Sequence, residues 1–132
     1  MTVAENKAVI SSFLEEVLNQ GRLERVDDLV AVDLVEVDPF PGQKQGREGL
    51  KQVISLAHLA PPFPTSIGVI EEMLGEGEKV FSRFTWHGTQ RSEFFGVPAT
   101  GKQITVKGVV VDHVAGKMVE SQILVVVKGF GA

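Results

Sequence analysis

The sequence predicts a single α+β domain, 1–132, in which N-terminal helices pack on a curved antiparallel sheet to make a cone-shaped barrel. Three observations predict it. Apolar residues recur at helical spacing as far as Ala60. After Pro61-Pro62 the period becomes that of strands. The alternating runs are then joined by tight turns, so helices come first and an antiparallel meander follows. A strongly bent sheet wrapping helices leaves a mouth where small ligands bind.

The first helix is expected from Val3 to Gln20. Val9, Ile10, Phe13, Leu14, Val17 and Leu18 fall on one face of it. Thr2 with Glu5 has the form of a capping box, and Gly21 can take the left-handed conformation that stops the helix. A shorter helix follows around Leu23–Val30. Leu34–Asp38 alternates as a strand and ends at Pro39-Phe40-Pro41-Gly42. A third helix, Arg47–Ala60, turns Leu50, Val53, Ile54 and Ala57 inward. Strands are then expected at Ser66–Leu74 and Lys79–Gly88, around the turn Gly75-Glu76-Gly77-Glu78. Two more, Gln103–Val114 and Lys117–Val127, flank Ala115-Gly116.

Composition narrows the partners. With 43% apolar and 23% charged residues, the chain can bury a core without metals or staples. It has no cysteine, which excludes disulfides, thiolate zinc sites and a cysteine nucleophile. Thirteen basic residues against 17 acidic ones give a net charge of −4, with no basic cluster to hold nucleic acid or a membrane surface. The start lacks the apolar stretch of a signal peptide, and no run approaches membrane-spanning length, so a cytoplasmic protein is expected. Ile123-Leu124-Val125-Val126-Val127 is apolar at every position, so both faces of the last strand call for cover. A homodimer through the outer face of the sheet supplies it; Lys128–Ala132 or a loop is the alternative.

Several segments carry a family resemblance. They are Asn6-Lys7-Ala8-Val9, Leu18-Asn19-Gln20-Gly21, Val37-Asp38-Pro39, Gly46-Arg47-Glu48-Gly49-Leu50, the run Glu93–Lys102, and Gly116-Lys117-Met118-Val119-Glu120. In this order they resemble the SnoaL-like polyketide cyclases, a family of the nuclear transport factor two-like, cystatin-like fold. The resemblance implies a cone-shaped α+β barrel, usually dimeric, with a hydrophobic small-molecule pocket. Relatives on this fold include ketosteroid isomerases, epoxide hydrolases and pockets with no known reaction, so the fold alone does not settle function.

The resemblance also places the catalytic groups. The cyclase acid on the last strand falls at Ile123, and the cyclase histidine falls near Val110; neither side chain can move a proton. The epoxide-hydrolase aspartate also falls at Ile123. The general base of the ketosteroid isomerases falls on Asp38, where a carboxylate at the pocket mouth could take a proton next to a carbonyl. Their tyrosine falls at Leu14, and the chain has no tyrosine. Without such a donor roughly 3 kcal/mol or more of transition-state stabilisation is missing. Asp38 also has a structural reading, as an aspartate before proline that caps a turn.

Arg83, Thr85 and His87 share one face of a strand, opposite Phe84 and Trp86. If that face lines the cone, Arg83 and His87 are donors to a substrate carbonyl or carboxylate. If it lies outside, Phe84 and Trp86 line the pocket instead. Phe13, Leu14, Trp86, Val110 and Ile123 complete the expected lining. His58 reads as a surface residue, Asp112 and His113 as ordinary polar residues before a turn, and Gln90 as another lost titratable group. Glu120 and Gln122 read as facing a partner subunit. The three histidines have no ligand spacing, so neither a metal nor another cofactor is expected. Three functions remain: a cyclase or isomerase moving a proton on a hydrophobic carbonyl compound, a binder or carrier without chemistry, and a dimerising accessory of a larger assembly.

Overall fold

The computed structural model describes residues 2–40, 42–58, 67–89, 101 and 103–128. Its first element shows the predicted capping box in full. The Glu5 amide donates to the Thr2 hydroxyl at 3.1 Å, and the Thr2 amide donates to the Glu5 carboxylate at 3.0 Å. Hydrogen bonding from the Thr2 amide, and next from the Thr2 side chain, holds the Glu5 carboxyl below its usual range. Helix α1 runs Val3–Ser12 and continues without a break as a wider π-helix over Phe13–Asn19. There the Gln20 amide reaches the Glu15 carbonyl, five residues back, at 3.2 Å. Gly21, at φ +71°, ends it as expected.

A 3₁₀ turn, Leu23–Arg25, leads into the short α2, Val26–Leu29, and directly into strand β1, Val30–Glu36. Helix α3 spans Gly46–His58. The rest is the predicted meander: β2 Ile67–Glu76, β3 Lys79–Thr89, β4 Gln103–Ala115 and β5 Lys117–Lys128. The segments around Pro61-Pro62, Gln90, most of Glu93–Lys102 and residues 129–132 lie outside the described residues, as do the side chains of His58 and Val125–Val127.

The five strands form one sheet in the order β1-β5-β4-β3-β2. The α+β fold of helices on a largely antiparallel sheet is as expected, with one addition. The meander is antiparallel, but β1 lies parallel to β5, which makes the sheet mixed. The cause is connectivity: β1 is followed by α3 rather than a hairpin, so its partner is a strand far along the chain. β1 also starts earlier than its alternation suggests, because the register slips between Val30 and Val35.

One face of the sheet carries the helices. Ile10, Phe13 and Val17 from the first helix, Val26 and Leu29 from α2, and Ile54 from α3 join Val80, Val114 and Met118 of the sheet in one core. Each such side chain contributes about 1.5–3 kcal/mol on burial. The Gly46-Arg47-Glu48-Gly49 segment has a packing reason. The Arg47 guanidinium donates to the carbonyls of Asp27 and Val30, capping the end of α2. A Cβ on Gly49 would sit 1.7 Å from the Lys44 carbonyl oxygen, so the chain leaves no room for a side chain there.

Candidate functional site

Strand alternation decides which residues face the helices. β3 has no register slip against β4, and Val80, Ser82 and Gly88 are its buried positions. Phe84 and Trp86 therefore share the inner face, and Arg83, Thr85 and His87 point away from the helices. This corrects the reading of Arg83 and His87 as donors into the cone. The Arg83 side chain is 54% exposed, its Nε 3.9 Å from a Glu72 carboxylate oxygen. His87 Nδ1 lies 3.2 Å from the Thr105 hydroxyl, its register partner on the same outer face. The packing of Val80 and Ser82 inward forces this parity.

Register partners across neighbouring strands also share a face. Val110 and Ile123 are partners on the inner face, beside Ser82. The two positions where the resemblance places acid and histidine thus meet across one strand pair, and both are aliphatic. Ile123 is 40% exposed there, an apolar surface open to a ligand. Leu14 and Trp86 close on Gly68: a Cβ at Gly68 would lie 3.1 Å from Leu14 Cδ1 and 3.5 Å from Trp86 Cδ1. The Trp86 ring lies over Gly88, where a Cβ would approach it to 2.6 Å. Asn19 fixes the helix to β2 by two bonds, donating from Nδ2 to the Gly68 carbonyl at 2.8 Å and accepting the Gly68 amide at 2.7 Å. Of the expected lining, Phe13 alone is spent on the core, 9% exposed among Ile10 and Val17.

Asp38 lies in the exposed bend after β1. Its side chain makes no hydrogen bond among the described residues, so the capping reading has no support in geometry. Two residues earlier, Glu36 faces inward opposite Ser121, whose other partner is Asp112. One row of the inner face therefore reads Glu36, Ser121, Asp112, Val80 across β1, β5, β4 and β3. Burial pushes the Glu36 carboxyl up, partly offset by the Gln43 side-chain amide at 2.9 Å. Burial pushes Asp112 up to about 6, partly offset by the Ser121 hydroxyl.

Asp112 is the residue that sequence reasoning passed over. It is 1% exposed, and its Oδ1 has no partner. The signal was present: in a strand that turns Val110 and Val114 inward, Asp112 must turn inward with them. Among the described residues no three His, Asp or Glu side chains come together as a metal would need. No described helix is long and apolar enough to cross a membrane.

Solved structures share this architecture. TsrD from Streptomyces laurentii matches with a TM-score of 0.83 at 20% identity, over 95% of this chain and 90% of that one. IdmH from Streptomyces antibioticus matches with a TM-score of 0.76 at 26% identity, over 91% of each chain. A SnoaL-like polyketide cyclase from Agrobacterium tumefaciens matches with a TM-score of 0.75 at 15% identity, over 96% and 93%. Among curated proteins no sequence matches. The sequence model of one family matches residues 8–125, nearly the whole chain, and by that match this chain belongs to the SnoaL-like polyketide cyclase family.

Proposed function

We propose that the chain binds a hydrophobic, carbonyl-bearing small molecule against the inner face of its sheet and moves a proton on it, as a cyclase or isomerase does. The observation that carries this reading is the open aliphatic pair Val110–Ile123 with two carboxyl groups, Glu36 and Asp112, in the next row of the inner face. Family membership and the likeness to IdmH, itself described as a candidate polyketide cyclase, support the substrate class. Asp38 is the base in this proposal, taking the proton from the carbon next to the carbonyl. Hydrogen–deuterium exchange at the α-carbon of cyclic ketones and polyketide esters tests it. Exchange lost in Asp38→Asn supports the base; equal rates in the variant remove Asp38 from the mechanism.

The exposure of Asp38 favours a second reading, a carrier that binds such a molecule without chemistry. A ligand released intact and undeuterated from the protein in heavy water supports that reading.

The outer face supports a homodimer. Leu124 (61% exposed), Leu74, Val69 and Val111 lie there with Arg83 and Lys107 beside Glu71 and Glu72. A surface with apolar side chains and both signs of charge is complementary to its own copy. Sedimentation velocity of the intact chain tests this proposal.

A further inference from the structure

The buried polar side chains among the described residues are Asn6, Ser82 and Asp112, and all three sit at one end of the inner face. Asp112 is the partner of Val80 on β3, and Ser82 stands one step diagonal from it. Asn6 projects from α1 over the same end, where its Nδ2 reaches the Gly77 carbonyl at 3.5 Å. None is more than 3% exposed. Each keeps one atom without a partner: Asn6 Oδ1, Ser82 Oγ and Asp112 Oδ1. A buried polar atom left unpaired costs free energy that a folded protein ordinarily avoids. Three such atoms toward one end of the inner face are hydrogen-bonding capacity that the described residues leave unused.

We propose that Asn6, Ser82 and Asp112 form a polar niche that takes the oxygen of an otherwise hydrophobic ligand, with Asp112 as its hydrogen-bonding acid. The niche adjoins the aliphatic ground, since Val110 stands beside Ser82 and two residues from Asp112 on the same face. A ligand with an apolar body and one carbonyl or hydroxyl oxygen matches both parts. This inference rests on the proposed carbonyl chemistry and names its missing electrophile. When the base breaks the α-carbon–hydrogen bond, that electron pair becomes the carbon–carbon double bond and the carbonyl π pair moves to oxygen. Asp112 donates its proton to that oxygen and recovers it when the ketone re-forms. The titratable group facing Asp112 across the sheet is Glu36 on β1, with Ser121 between them; Val80 and Ser82 on β3 and Asn6 on α1 add no charge. With burial holding Asp112 near neutrality, the group can both give and take a proton.

The test uses 2-naphthol, which carries one oxygen on an apolar body, and naphthalene, which carries none. The full chain should prefer 2-naphthol by about tenfold. Asp112→Asn and Ser82→Ala, each checked for native circular dichroism, should lose that preference while still binding naphthalene. Equal affinity for the two probes in the unaltered chain overturns the niche. So does a crystal structure with 2-naphthol in which ordered water alone fills the three positions. Alpha-carbon exchange of 2-tetralone separates the two levels. A retained 2-naphthol preference without any exchange keeps the niche and removes the proton-transfer reading. Exchange that Asp112→Asn leaves unaltered, in rate and in pH profile, keeps the reading and removes Asp112 as its acid.

Discussion

The two faces of this one sheet invert the usual distribution of polarity. The face that carries the helices holds a carboxyl group, a hydroxyl and an amide with unpaired atoms at its hairpin end. The face turned away from them carries large apolar side chains in water, Leu124 and Leu74 foremost. Both conditions are unfavourable for an isolated monomer, and for different reasons: one leaves hydrogen bonds unmade, the other leaves apolar area wet. A fold this well capped and packed does not leave such defects at random. The first condition underlies the proposed ligand site, and the second the proposed homodimer.

Four experiments break or sharpen this contrast. The largest effect belongs to the outer face: Leu124→Asp with Val111→Asp should turn the proposed dimer into a monomer at all accessible concentrations, read by sedimentation. A dimer that survives both charges places the interface elsewhere. Next comes the inner carboxyl. Its pKa is raised on folding, so its contribution to stability is fully present below the unfolded value and is lost as pH rises through about 6. Relative to Asp112→Asn, the unaltered chain should lose roughly 2 kcal/mol between pH 4 and pH 7. Denaturant melts of the two proteins across that range measure it; parallel curves would show that Asp112 is solvated.

Gly88→Ala should cost about 1–3 kcal/mol, because the new methyl meets the Trp86 ring on the inner face. The displaced indole should change its fluorescence, and an unchanged spectrum would mean that the ring has room. Smallest is Arg83→Ala. Its ion pair with Glu72 is long and exposed on both sides, so stability should change by about 0.5 kcal/mol or less. Alpha-carbon exchange should stay at the unaltered rate, and a large loss would return Arg83 to the site.

What could be read from the sequence follows the range of the interactions. The capping box at Thr2 and Glu5, the stop at Gly21 and the β4–β5 hairpin are settled by residues a few positions apart, and all three appear as expected. The pairing of β1 with β5 is not local, and no period in Val30-Ala31-Val32-Asp33 announces it. Alternation in β3 offered two faces without saying which would be covered; the choice comes from how Val80 and Ser82 pack under the helices. Asp112 was lost for a different reason. It stands near a turn, where polar residues are common, and that rule outweighed the parity that Val110 and Val114 already imposed.

Asn19 has a consequence beyond joining a helix to a strand. Among the described residues β2 is the last strand of the sheet on its side, and an edge strand turns amides and carbonyls outward where a strand from another molecule can pair with them. The carboxamide of Asn19 imitates a peptide group and takes both backbone positions of Gly68, so at that point the margin of the sheet is already occupied. A single side chain thereby closes one residue of the edge to pairing with another strand, without adding a strand or a charge.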